Sequence, residues 1–391
     1  MPLRILVLHN RYRTPGGEDT VVATETALLR AYGHEVEEYR ESNEHPFRVA
    51  DLPGILWSLR TIRELRRLLE KFKPHIVHCH NIYYRISPSA HWLCYRLGIP
   101  VVQTLHNFRY ACVNARLSRD GKPCELCLGE RRKRYHGIIR GCFRNSKLQS
   151  TGLAFATELH ERIGSFSRPV SFFIALSHYA RKRHILSGIP EHKIIVKPNC
   201  VYPDPGVKNG RGTYCLFAGR LEVDKGVRVL LQAASRLPGV PIIIAGHGPL
   251  EQEVRNAART TTNLQYLGGI TRVKVLELMK SARLLLFPTL AYENFPMTIG
   301  EAFAVGLPVA ASRLGTAAEI VHDSVHGILF EPANAAELAG RIRKIWDDDD
   351  TFARMGAAAR AAYEHNYSGE AGYRALCDIY RTAILKSGQR A

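Results

Sequence analysis

An α/β fold with two doubly wound parallel-sheet domains is what this 391-residue sequence predicts. Three observations predict it. Short, wholly apolar runs alternate with longer amphipathic stretches, and strands apolar on both sides belong to parallel sheets covered by helices on each face. The alternation stops near residue 197 and restarts near 214. The chain is also longer than one hydrophobic core usually fills.

In the first half, Ile5–Leu8, Ile76–His78, Val101–Thr104 and Phe172–Leu176 read as buried strands. Helical periodicity covers roughly Asp19–Ala31, Trp57–Lys71, Ala90–Leu97 and Gly152–Ile163. The stretch from Lys197 to Gly212 holds three Pro and three Gly and reads as a linker. Strands resume at Tyr214–Ala218, Pro241–Ala245, Leu264–Tyr266, Leu284–Phe287, Pro308–Ala311 and Ile328–Phe330. Two helices, near Phe352–Tyr363 and Glu370–Lys386, close the chain. The expected division is residues 1–200, with an insertion at 108–147, then 201–366, then a terminal helix at 367–391 that crosses back to the first domain. Such sheets bind ligands beyond the carboxyl ends of their strands, so the expected site is a cleft between the domains.

Lys plus Arg outnumber Asp plus Glu by 54 to 36, a net charge of +18. An excess of this size points to anionic partners: phosphorylated small molecules, an anionic membrane surface or nucleic acid. Arg60, Arg63, Arg66, Arg67, Lys71 and Lys73 fall on one helical segment, where Leu56, Trp57, Leu59, Ile62, Leu65, Leu68 and Leu69 interleave with them. That pattern favours contact with a membrane surface over a merely solvated face, although the same apolar positions also suit packing against a sheet. Nucleic acid is disfavoured, because no recognition motif interleaves aromatic residues with the basic runs. No apolar run reaches the roughly 18 residues of a membrane span, and the N-terminus lacks signal-peptide features. The expectation is a cytoplasmic protein, peripheral on the inner face of the membrane.

The stretch Glu293-Asn-Phe-Pro-Met-Thr-Ile-Gly-Glu301 carries most of the functional information. One acid follows an apolar strand, and the other lies a turn or so into a helix. A ligand bearing both hydroxyls and phosphate would meet the two carboxylates together with the free N–H groups of the helix start. Upstream, Phe217-Ala-Gly-Arg-Leu and Asp224-Lys-Gly place Gly219, Arg220 and Lys225 on a strand–loop–helix turn, where guanidinium and ammonium suit a diphosphate. Gly246-His-Gly248 follows the next strand, and its glycines would permit close backbone approach by a ligand.

These segments, with Gly306-Leu-Pro-Val, resemble the nucleotide-binding half of the retaining glycosyltransferases of family 4, which have the two-domain GT-B fold. The resemblance extends in outline over nearly the whole chain. It implies transfer of a sugar, with retention of configuration, from a UDP- or GDP-linked donor to a glycan or lipid-linked acceptor. It implies that Arg220 and Lys225 hold the diphosphate, that Glu301 takes the ribose hydroxyls, and that Glu293 takes hydroxyls of the donor sugar. Backbone N–H groups around Asn294, Phe295 and Met297 would meet sugar and phosphate, while Pro296 has none to give. Catalysis would rest on His106, Glu293, Arg220 and Lys225 and would require no cofactor. No Asp-x-Asp metal site is present, and Asp347–Asp350 reads as a solvated acidic run.

The first half offers Pro15-Gly16-Gly17-Glu18 after its first strand, either a plain turn or, as in similar enzymes, a loop that approaches donor phosphates and acceptor. Glu18 is a candidate base near the acceptor. His106 ends one strand, and His78, His80 and Asn81 end another, so His80 and Asn81 are acceptor-side candidates. Cys112, Cys124, Cys127 and Cys142 cluster in the basic insertion, where four thiolates could hold a structural zinc. Ordinary thiols or a disulfide pair are the alternative readings, since the doubled C-x-x-C form is missing. Competing functions are a sugar-nucleotide epimerase, a glycan phosphorylase and a basic nucleic-acid-binding protein.

Overall fold

The computed structural model of the protein describes residues 2–11, 16–42, 52–129 and 131–388. Pro15 of the glycine turn therefore lies outside the described residues. The chain divides into two compact units, residues 1–117, 124–199 and 372–391 forming one and residues 118–123 and 200–371 the other.

The first unit runs β1 (Arg4–Arg11), α1 (Gly17–Ala31), β2 (Glu35–Ser42), α2 (Leu52–Leu56), α3 (Leu59–Phe72), β3 (Ile76–Cys79), α4 (Ser89–Arg96) and β4 (Val101–Leu105). After the small hairpin β5 (Ser118–Arg119) and β6 (Lys122–Pro123) come α5 (Tyr135–Ile139), α6 (Lys147–Arg162), β7 (Phe172–Ala175), α7 (His178–Leu186) and β8 (Ile194–Val196). The six-stranded sheet is parallel throughout, in the order β2-β1-β3-β4-β7-β8. Alternation along each strand builds two cores. Leu6, Leu8, Val77, Val101 and Phe173 join Leu65 and Leu69 of α3 in one core. Ile5, Val7, Ile76, Val102, Phe172 and Ile174 join Val22 and Leu29 of α1 in the other, which the C-terminal helix also enters through Leu376, Ile379, Tyr380 and Ala383.

The second unit contains β9 (Cys215–Ala218), α8 (Val227–Ala234), β10 (Ile242–Ala245), α9 (Glu251–Thr260), β11 (Leu264–Tyr266), α10 (Arg272–Ser281), β12 (Leu284–Phe287) and α11 (Met297–Ala304). It continues through β13 (Val309–Ser312), α12 (Gly315–Ile320), β14 (Gly327–Phe330), α13 (Ala335–Ile345) and α14 (Asp349–Ala362). A π turn at Tyr363–Tyr367 leads into α15 (Gly369–Gly388). The sheet order β11-β10-β9-β12-β13-β14 is again parallel throughout. This 3-2-1-4-5-6 winding reverses direction between β9 and β12, the place where doubly wound sheets receive nucleotides.

Two features differ from expectation. The sequence reading passes over β2 and β8, the two edge strands of the first sheet. The segment Leu56–Phe72 directs its apolar side inward: Leu65 and Leu69 are buried, and Leu56, Ile62, Leu68 and Phe72 pack against the same core. Leu59 alone of its leucines is strongly exposed, at 70%. The acidic run at 347–350 is exposed, as expected, and it also caps a helix. Asp348 accepts the Thr351 N–H at 2.9 Å, and Asp349 takes the buried Arg283 at 2.6 Å.

Candidate active site

In the second unit, the strands on either side of the reversal supply the predicted phosphate-end residues. The loop after β9 tightens into a 3-10 turn at Val223–Lys225, and the chain enters α8 through Gly226 at φ 72°. A Cβ at Gly226 would overlap the Pro288 carbonyl oxygen, so glycine lets this loop lie directly on the end of β12. Leu290 N–H donates to the Asp224 carbonyl at 2.7 Å across the same junction. The result is an ion pair between Lys225 Nζ and Glu293 Oε1, two residues 68 apart in sequence, each side chain still 21% exposed.

Arg220 leans instead on Glu222, at 2.9 Å, and remains 57% exposed. Its guanidinium is thus on the loop surface with solvent access. Glu301 lies inside α11 and is 8% exposed. Burial raises its carboxyl pKa, and Arg272, whose Nε donates to Oε1 at 2.7 Å, opposes that rise. Arg272, at the start of α10, is a site residue the sequence reading missed, since nothing local links it to a glutamate 29 positions away. Asn294 is buried, and its Oδ1 has no hydrogen-bond partner among the described residues. Phe295 packs inward against Tyr367, ring centroids 5.5 Å apart. Met297 opens α11 behind Pro296, whose carbonyl accepts from Ile299 N–H at 2.9 Å and so begins the helical ladder.

Gly219, Gly246 and Gly248 serve packing as well as access. A Cβ at Gly246 would overlap the Gly219 carbonyl, and one at Gly248 would press on the Leu221 backbone. Leu221 N–H donates to the His247 carbonyl at 2.8 Å. The close backbone approach expected at Gly246-His-Gly248 is therefore made by the neighbouring loop of the protein itself.

In the first unit, Glu18, His80, Asn81 and His106 line one pocket, together with Asn107 and Arg109. Gly16 and Gly17 begin α1, with open space where side chains would stand. Asp19 accepts the Gly16 N–H at 2.9 Å and holds His9 Nε2 at 2.9 Å. Asn81 is largely occupied with architecture. Its Nδ2 donates to the Asn10 carbonyl at 2.8 Å, and its Oδ1 accepts the Tyr83 N–H at 3.0 Å. His78 is a core residue, bonded to Tyr380 Oη at 2.7 Å and Thr104 Oγ1 at 2.8 Å. His80 Nδ1 meets His106 Nε2 at 2.8 Å. Burial lowers the pKa of all three rings, to about 4 for His78 and about 3 for His106, so they are neutral at pH 7. Arg109 was not anticipated, because an Arg in a long basic insertion carries no positional signal.

The four insertion cysteines come only partly together. Cys112 and Cys127 lie near enough to perturb each other, the pKa of the Cys112 thiol being lowered and that of the Cys127 thiol raised. Cys112 Sγ also lies 3.0 Å from Asn114 Oδ1. Among the described residues, the trio of potential metal ligands within 4.8 Å is Glu25, His78 and His80. The four thiols do not form such a group.

Comparison with known proteins bears on both units. The family model Glycosyltransferase Family 4 matches residues 15–204, and Glycosyl transferases group 1 matches residues 202–362. O-antigen chain mannosyltransferase C of Escherichia coli is 29% identical over 175 residues, 44% of this chain and 47% of that protein. Glycogen synthase of Mycobacterium tuberculosis is 30% identical over 182 residues, 45% and 43%. The matches thus span under half the length of these two relatives. D-inositol 3-phosphate glycosyltransferase of Arthrobacter sp. is 27% identical over 388 residues, 88% of this chain and 85% of that protein. Among solved structures, Anabaena Alr3699/HepE in complex with UDP shares the fold at a TM-score of 0.68 and 17% identity, covering 97% of this chain and 100% of that one. With two family models matched in order along the chain, and a doubly wound parallel sheet in each unit, this protein belongs to glycosyltransferase family 4.

Proposed function

We propose that the protein transfers a sugar, with retention of anomeric configuration, from a UDP- or GDP-linked donor to a hydroxyl of a glycan or lipid-linked acceptor. The single observation that carries this reading is the Lys225–Glu293 pair, held at the sheet reversal beside the start of α11. A cation and a hydroxyl-accepting carboxylate side by side suit the junction of a phosphate and a sugar. Anabaena Alr3699/HepE, which shares the fold, is solved in complex with UDP and with UDP-glucose, and this supports a nucleotide-sugar donor.

In this reading, Lys225 and Arg220 neutralise the diphosphate, and donors fixed in advance stabilise the charge that grows on its bridging oxygen. Glu293 orients the donor sugar, and Glu301 accepts from ribose hydroxyls. The bond from the anomeric carbon to the diphosphate breaks as the acceptor oxygen bonds to the same face. The acceptor proton leaves to Glu18 of the first unit's pocket, and the nucleoside diphosphate departs with the bonding electrons. His106 contacts a sugar hydroxyl there. No metal is needed for these steps.

Screening UDP- and GDP-sugars for stabilisation of the protein, then for transfer or hydrolysis, tests the reading. Stereochemistry follows from the anomeric signals of the product. Isomerised donor without an acceptor would make the protein an epimerase and end the proposal. Full turnover by Glu18→Gln would remove Glu18 as the base.

Two subsidiary roles belong to the same proposal. The outward residues Arg63, Arg66, Arg67 and Lys71 of α3 are exposed and suit the surface of an anionic membrane, which would place the protein on the cytoplasmic face. No helix among the described residues is long and apolar enough to cross a membrane. A structural zinc would draw the thiols of Cys112, Cys124, Cys127 and Cys142 together. Metal analysis showing under about a tenth of an equivalent, with all four thiols alkylated, would dismiss it.

A further inference from the structure

Beneath the first unit's pocket lies a buried charge pair that the proposed reaction does not use. Glu25 of α1 and Lys197, just after β8, are each 2% exposed, and Lys197 Nζ is bonded to Glu25 Oε1. The other oxygen, Oε2, has no hydrogen-bond partner among the described residues and stands 3.8 Å from His80 Nε2. His80 Nδ1 in turn meets His106 Nε2 at 2.8 Å, with the two ring planes nearly parallel at 20°. A line of groups thus runs from a buried cation, through a carboxylate and the His80 imidazole, to the His106 imidazole, and both rings line the pocket.

The line has a direction. A neutral imidazole carries one N–H and one bare nitrogen, and its partners decide which is which. At 3.8 Å, Glu25 Oε2 is too far for a hydrogen bond with His80 but close enough to act as a fixed negative charge in a dry interior. That charge favours the N–H at His80 Nε2, because the opposite tautomer would turn a lone pair towards a carboxylate. His80 Nδ1 is then bare and must accept from His106. Neighbouring rings do not compete. His78, 4.2 Å from His80 between centroids, has both nitrogens engaged by Tyr380 and Thr104. His9, 6.3 Å away, is bonded to Asp19.

We propose that Glu25, braced by Lys197, is a positioning residue that acts through His80 to fix His106 as the Nε2–H tautomer, leaving His106 Nδ1 as the acceptor for a sugar hydroxyl in the pocket. The inference rests on the transferase reading only for the identity of that hydroxyl. The tautomer itself is a property of the free protein. It also explains why a cation and an anion are kept in the interior beside three histidines, where burial alone would cost several kcal/mol per ion.

The test is ¹⁵N NMR of the full chain labelled at histidine, reading which ring nitrogen carries the proton without any substrate present. His106 is assigned by the signals lost in His106→Asn. The proposal expects a protonated Nε2 and a bare Nδ1 on His106, and the reverse assignment overturns it. The double variant Glu25→Gln/Lys197→Met removes both charges while keeping the bulk, and should turn the single His106 tautomer into a mixture. A spectrum unchanged in that variant overturns the role of Glu25, and if the variant does not fold, the native spectrum alone still decides. Under the transferase reading, the same variant should lower kcat roughly tenfold with nucleotide affinity unchanged. A native protein with the expected tautomer but no transfer activity would refute that reading and leave the relay standing.

Discussion

At the scale of single residues, the carboxylates divide by environment, and their pH behaviour should divide with them. Burial raises the pKa of Glu301, with Arg272 only partly opposing it. A raised carboxyl favours folding most below its unfolded pKa, and that contribution disappears as pH rises through the folded value. Ionising Glu301 is therefore a cost to folding, which the proposed contact with ribose hydroxyls would offset on binding. Glu301→Gln should raise thermal stability at pH 7 while weakening donor binding, as calorimetry of both would show. Arg272→Ala should move the acidic fall-off of donor affinity to higher pH. Glu25 behaves oppositely. Burial pushes its carboxyl up, but Lys197 outweighs it and the net shift is downward, so its contribution is present above the unfolded pKa and disappears on acidification through the folded one. Lys197→Met alone leaves a buried charge unpaired and should cost about 3–5 kcal/mol in denaturant unfolding, while the neutral double variant should cost much less.

At the scale of elements, the loops at the sheet reversals hold the candidate site residues, and a glycine shapes the one that bears Lys225. Gly226→Ala should destabilise the second unit by at least about 2 kcal/mol, since the residue is left-handed and has the Pro288 carbonyl against it. Donor affinity should fall in parallel, because Lys225 rides on the same turn. The buried strands were legible from their apolar runs, which is why the order and spacing of the inner strands could be read directly. The edge strand β2 was not, because of its eight residues Val36 alone is buried and four are glutamates. The edge strand β8 has three residues and abuts the Pro-rich linker. The two motifs 68 residues apart place Lys225 and Glu293 at one donor site, but their ion pair is visible only in the structure. The partnerships of Arg272 with Glu301 and of Glu25 with His80 were not anticipated, because they join elements through space with no local spacing to betray them. The histidines at strand ends were readable as a group, but their separate fates, His78 in the core and His106 at the pocket, depend on ring contacts that alternation alone does not reveal.

At the scale of the whole molecule, each unit has its own parallel sheet and its own core, and its own set of polar residues past the strand ends. Unfolding should therefore depart from a single two-state transition in calorimetry. A nucleotide sugar at about 100 times its Kd should stabilise by about 2.7 kcal/mol, and the shift should appear in the transition of the second unit. The central claim is that this unit grips the donor by its diphosphate through Lys225, with Glu293 beside it. Calorimetric titration of wild type and Lys225→Ala with the donor identified by screening tests it most directly. The account predicts that the variant, still folded, loses about 2 kcal/mol of binding, roughly thirtyfold in Kd. An unchanged Kd in a correctly folded Lys225→Ala protein would contradict it.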